Sequence, residues 1–227
     1  VGVAFLQEHL DNTLKSPEDV ERILHLPVLA LIPAFESLNG HPRGVYGLPS
    51  PRKLLANGGR KGAVKASGGW YRIDETGPQF AVLREAFHSF RTSVLLSTAD
   101  RPPRSLLITS ARPGEGKTTI SANLAISLAQ LGQRVLLVDG DLRRPCIHKI
   151  FQVPPGPGFV SYLTGHHDWP AVTIPTAIPG LDIIPCGPVP PNPAELLFSE
   201  HARALFREAT EKYTMVVLDS PPILNVA

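Results

Sequence analysis

A doubly wound α/β fold with a mainly parallel sheet is predicted by three observations in this 227-residue sequence. From Leu106 onward, short apolar runs alternate with segments of helical length. A glycine-bearing loop, Ala111-Arg-Pro-Gly-Glu-Gly-Lys-Thr118, joins the first run to a stretch rich in Ala and Leu. Two later runs lead directly into aspartates, Asp139 and Asp219. Strand and helix in that rhythm make βαβ units, which pack as a parallel sheet with helices on its faces. The loop gives the fold its P-loop NTPase character. The sequence stops soon after Asp219, where such a sheet normally adds strands, so C-terminal strands are expected to be missing from it.

The elements follow in order. Residues 1–36 form a first segment, with Gln7 to Leu14 at helical spacing. Ser16-Pro-Glu-Asp-Val starts a helix: Ser16 caps, Pro17 suits the first position, and Glu18 and Asp19 favour the dipole. Val28 to Ile32, after Pro27, reads as a strand. Residues 37–75 read as a basic linker, because eight glycines and three prolines between Ser37 and Ile73 resist regular structure. Seven basic residues and no acid lie between Ser37 and Ile73, so the linker is a solvated tether or a strip suited to anionic lipid beside a membrane anchor.

Residues 76–227 form the main domain. Phe80, Leu83, Phe87, Val94 and Leu95 give a helix from Gln79 to Ser97 its apolar face. Then come a strand at Leu106–Thr109, a helix at Lys117–Leu131 ended by Gly132, and strands at Val135–Val138 and Leu181–Pro185. Asn192-Pro193 caps and begins a helix through Phe198, a second helix covers Glu200–Lys212, and Met215–Leu218 is the last strand.

No stretch reaches the roughly 18 apolar residues a membrane helix needs. The opening Val-Gly-Val-Ala-Phe-Leu, without an initiator methionine, reads as the end of something longer. The two cysteines, Cys146 and Cys186, read as reduced thiols in a chain too large to depend on a disulfide. Trp70 and Tyr71 are too few aromatics for a nucleic-acid groove, so no nucleic-acid partner is expected. His166-His167-Asp168 reads as solvated surface.

The loop carries the chemistry. Arg112, Pro113, Gly114, Glu115, Gly116, Lys117, Thr118 and Thr119 make a cradle whose backbone amides converge on phosphate, helped by the start of the following helix. Lys117 would reach the β- and γ-phosphates of ATP, and Thr118 would give its hydroxyl to Mg²⁺. Ala111 stands where this pattern has its first glycine, a change the loop accepts if the residue needs no positive φ. Asp139 and Asp141, two apart in an extended segment, should project to the same side and hold a hydrated Mg²⁺ together with Asp219. Asp139 is the candidate base for a tyrosine acceptor, whose unperturbed pKa is about 10.

These motifs resemble those of the bacterial tyrosine kinases, the capsule and exopolysaccharide autokinases. The resemblance rests on the loop, on Asp139-Gly-Asp141-Leu-Arg143 and on Asp219-Ser-Pro221-Pro222. Phe5 to Thr13, Ser16 to Asp19, Leu26 to Pro33 and Pro191 to Leu197 are also similar to family stretches. It implies a juxtamembrane segment after a membrane helix and a polysaccharide co-polymerase domain, in the same protein or as a separate membrane activator. It also implies a ring of subunits at the cytoplasmic face of the inner membrane, tyrosine-containing protein substrates, and a C-terminal tyrosine cluster that this sequence lacks. The family's oligomer element is present as Glu85-Ala-Phe-His88-Ser-Phe-Arg91, with histidine at the middle position, which makes Glu85 and Arg91 the expected interface residues.

A switch ATPase of the partition or division-site type shares the loop, but usually has lysine where this sequence has Arg112. A nucleotide-binding assembly scaffold without kinase chemistry is the other alternative.

Overall fold

Five apolar runs pair into one sheet: β1 (Ser105–Ile108), β2 (Val135–Asp139), β3 (Ile174–Pro175), β4 (Leu181–Ile184) and β5 (Met215–Asp219). The structure, a computed structural model, describes residues 16–33, 73, 79–98, 100–190 and 192–225. The strand order is β1-β5-β2-β4-β3. All pairs are parallel except β3 with β4. The helices are α1 (Pro17–Leu24), α2 (Gln79–Leu95), α3 (Lys117–Ala129), α4 (Ile147–Ile150), α5 (Phe159–Leu163), α6 (Trp169–Val172), α7 (Pro193–Leu197) and α8 (Glu200–Lys212).

The sheet is covered on both faces, which is why β2 is apolar at every position before Asp139 and fully buried. Leu136, Val138, Ile184 and Val216 join a core with Phe159, Leu163, Val172, Leu205 and Tyr213, so α5, α6 and α8 lie on that face. The alternate residues face the other way, where α3 meets β1, β2 and β5 and is itself backed by α2. A helix between sheet and helix must be apolar nearly all round, and Ser121 to Ala129 are all buried. This is the doubly wound arrangement.

Strand ends agree with the sequence reading to within a residue. The long helices are slightly shorter than expected: α2 stops at Leu95, and α3 at Ala129, before Gly132 at φ 78°. Ser16 caps α1, accepting from the Asp19 amide at 3.2 Å. Asn192 holds the N-cap position of α7 without a side-chain cap bond, and that helix ends one residue early.

Val28–Ile32 is not a strand. An extended run needs a ladder partner, and none exists among the described residues; Leu31 is 53% exposed and the Val28 amide donates to Glu21 Oε1. The chain divides into two compact units, Val1–Gly62 and Ala63–Ala227. No helix among the described residues is long and apolar enough to cross a membrane. Gln7–Leu14 and nearly all of the 37–75 stretch lie outside the described residues, Ile73 excepted.

Candidate functional site

Strand register assembles the site. Ile108 lies opposite Asp219, and Asp219 opposite Asp139, so β1, β5 and β2 end in one row. Ligands bind beyond the carboxyl ends of parallel strands in such sheets. The loop after β1 rises from that row, and the chain leaving β5 is fastened along its first leg. The amides of Ser220, Ile223 and Leu224 donate to the carbonyls of Ile108, Ser110 and Ala111 at 3.0, 2.9 and 3.2 Å.

Gly114 and Gly116 sit at φ 84° and 85°, with no atom within 4 Å of where a Cβ would stand. Backbone conformation rather than crowding therefore demands glycine there. Ala111 is not among the positive-φ residues, which is why alanine is accepted at that position. Inside the loop the Arg112 amide donates to Glu115 Oε2 at 3.0 Å, and Ser110 Oγ donates to the Arg112 carbonyl. Arg112, Pro113, Gly114 and Glu115 are exposed, Thr119 is half-buried and Thr118 is buried.

Lys117 opens α3 and turns back over the strand ends. Its Nζ is 2.7 Å from Asp141 Oδ2, 3.3 Å from Thr118 Oγ1 and 3.8 Å from Asp219 Oδ2. Asp141 Oδ1 accepts from the amides of Arg143 and Arg144. Burial works to raise the Asp141 pKa, but Lys117 and those amides outweigh it and hold the carboxyl below its usual range.

Asp139 and Asp141 take different hydrogen-bond partners. β2 ends at Asp139, so strand alternation does not carry on to Asp141. Instead Asp139 Oδ2 accepts from the Cys146 and Ile147 amides at 3.1 and 3.0 Å, while its buried Oδ1 has no hydrogen-bond partner. Burial pushes its pKa up to about 7 against those two amides, with the charges of Asp219 and Asp141 adding to the rise. Asp219 is also raised by burial, opposed by the Thr118 hydroxyl, Lys117 and the Ser121 hydroxyl.

The residues present fit a hard cation beside phosphate. Asp219 Oδ2 is buried and lacks a hydrogen-bond partner, Thr118 offers a hydroxyl 3.3 Å from the same ammonium, and every donor is oxygen. Among the described residues no group of three His, Cys, Asp or Glu side chains could hold a metal alone. An ion here would complete its shell from water and phosphate.

Sequence reasoning missed Ser121. Its Oγ donates to Asp219 Oδ1 at 3.1 Å and to the Lys117 carbonyl at 2.8 Å, tying α3 to the end of β5. Its position four residues after Lys117, on the same helix face, is the signal that could have found it.

The two expected interface residues point to different places. Glu85 is exposed, beside His88, Ser89 and Thr92 along a surface groove. Arg91 is turned onto α3, with Nη1 at 2.8 Å from the Ser127 carbonyl and 3.3 Å from Ser127 Oγ.

Residues 106–157 match the family model described as the CobQ/CobB/MinD/ParA nucleotide binding domain. Over 143 residues the chain is 43% identical to tyrosine-protein kinase YwqD of Bacillus subtilis, a match covering 63% of this chain and 60% of that protein. Across its whole length it is 31% identical to putative tyrosine-protein kinase EpsB of Ralstonia solanacearum, of which it covers 28%. The kinase domain of Escherichia coli tyrosine kinase ETK superposes with a TM-score of 0.72 at 30% identity, covering 94% of this chain and 75% of that one. The chimerical protein CapA2B2 gives 0.69 at 34% identity, covering 93% and 77%. The chain thus spans less than two thirds of both curated relatives.

Proposed function

The chain belongs to the family of bacterial tyrosine kinases, and from that premise we propose that the whole protein is an ATP-dependent protein-tyrosine autokinase. It regulates capsule or exopolysaccharide polymerisation, chain length and export. The observation that carries the reading is the convergence of Lys117, Thr118 and the partly unpartnered Asp139 and Asp219 carboxyls beside a positive-φ glycine loop.

In this reading the loop from Arg112 to Thr119 cradles the phosphates of ATP, and Lys117 moves charge from Asp141 to the transferring group. Thr118, Asp141 and Asp219 would hold Mg²⁺, which would neutralise phosphate charge. The acceptor tyrosine oxygen bonds to the γ-phosphorus as the bond to ADP breaks. Asp139, with its pKa pushed up to about 7, takes the phenolic proton at neutral pH. The protein works at the cytoplasmic face of the inner membrane as a ring of subunits in which Glu85 faces a neighbour. Its own co-polymerase domain or a separate membrane protein activates it, and its substrates are tyrosine-containing proteins.

The test incubates the full cytoplasmic region with Mg-ATP and reads phosphotyrosine. The expected result is labelling that is lost in Lys117→Met and on chelation of divalent metal. Phosphate release with no phosphotyrosine would show a switch ATPase instead, and nucleotide binding with neither would show a scaffold.

A further inference from the structure

The helix that begins the phosphate site is fixed in place from the far end. α3 runs about 20 Å for its thirteen residues, and most of its buried surface is Ala, Leu and Ile. Contacts of that kind are non-directional. Three buried polar side chains on α3 add directional bonds: Ser121 bonds Asp219, Asn123 Oδ1 accepts from the Ile73 amide at 2.8 Å, and Ser127 meets Arg91. The last comes from α2.

The Arg91 contact is a helix cap supplied by a neighbouring helix. Within α3 the Ser127 carbonyl should accept from the amide of Leu131, four residues on. That amide bonds the Leu128 carbonyl instead, at 3.1 Å. The guanidinium Nη1 takes the freed carbonyl at 2.8 Å, and its positive charge lies at the negative end of the helix dipole. Ser127 Oγ also reaches the Phe87 carbonyl at 3.5 Å. A charge-assisted bond of this type is short and directional, so it adds a directional constraint on the axial position to that of the apolar packing.

We propose that Arg91 is a positioning residue for the nucleotide site: its cap on α3 holds Lys117 and Thr118 at the height where they meet Asp141 and Asp219. Arg91 therefore acts inside its own subunit, while Glu85 on the same helix faces outward. This rests on the reading of the loop as a phosphate site.

The experiment measures binding of a fluorescent ADP analogue with Mg²⁺ to the 227-residue chain, below the melting point of every variant, with sedimentation on the same samples. Arg91→Ala is expected to weaken binding about three- to tenfold, the factor a buried helix cap is worth, with sedimentation unchanged. Arg91→Lys, which keeps a cation for the Ser127 carbonyl, recovers most of the affinity, a rescue that general loosening of the fold would not give. Glu85→Ala binds like the unmodified chain. Unchanged affinity in Arg91→Ala overturns the proposal, as does altered sedimentation at unchanged affinity, which makes Arg91 an interface residue. An unmodified chain that binds no nucleotide overturns the phosphate-site reading itself, and this proposal with it.

Discussion

Asp139 combines a stability cost with the chemical role proposed for it. Its folded pKa of about 7 lies above its ordinary value of 3.8, chiefly because of burial. Between those two values the folded state holds the proton and the unfolded state has released it, so stability falls as pH rises from about 4 to about 7. Asp139→Asn is neutral throughout and loses this dependence. Urea midpoints measured from pH 5 to pH 8 should show the unmodified protein weakening relative to Asp139→Asn as pH rises, and parallel curves would rule the account out. The same titration is expected in the chemistry. Tyrosine phosphorylation should climb with pH around 7, and Asp139→Asn should lose that limb together with most of the activity; phosphorylation at the unmodified rate in Asp139→Asn would remove the residue from its role as base.

Among the elements, those legible in the sequence were those whose pattern is local. β2, β4 and β5 are apolar runs long enough to be read, and α8 carries its own start signal, with the Ser199 side chain accepting from the Ala202 amide. In the site, Lys117, Thr118 and the three aspartates could be named, but what each aspartate holds could not. The Asp139 carboxylate takes amides seven and eight residues later in the chain, a pairing set by the turn after β2. α4, α5, α6 and β3 were invisible for the same reason. Each has at most five residues, and tertiary bonds hold them: the Phe159 and Val160 amides donate to the Pro185 and Cys186 carbonyls at 2.7 and 2.9 Å. That junction requires Gly158, because a Cβ there would collide with the Pro185 carbonyl oxygen and the Gly187 nitrogen. Gly158→Ala should therefore cost about 1–3 kcal/mol, as overpacking does, seen as a lower thermal midpoint. A midpoint equal to that of the unmodified protein would show that the junction can open without cost.

For the molecule as a whole, the position of the tyrosines decides where a kinase of this fold can place phosphate. β5 runs from Met215 to Asp219, so Tyr213 lies at the end of the sheet opposite the loop, roughly 20 Å from Asp219 by strand rise. It is 3% exposed, and its hydroxyl donates to Asp182 Oδ2 at 2.6 Å, so burial and that bond hold its pKa well above the usual range. Tyr162 is 7% exposed in the core between α5 and α8, where burial raises its pKa too. An acceptor must bring its oxygen to the γ-phosphorus and lose its proton, and neither residue can do so while the fold is intact. After incubation with Mg-ATP, mass spectrometry should find no phosphate on Tyr162 or Tyr213, and the double variant Tyr162→Phe, Tyr213→Phe should keep its phosphotyrosine signal. Loss of signal in that variant with its fold retained would mean that the domain opens during turnover.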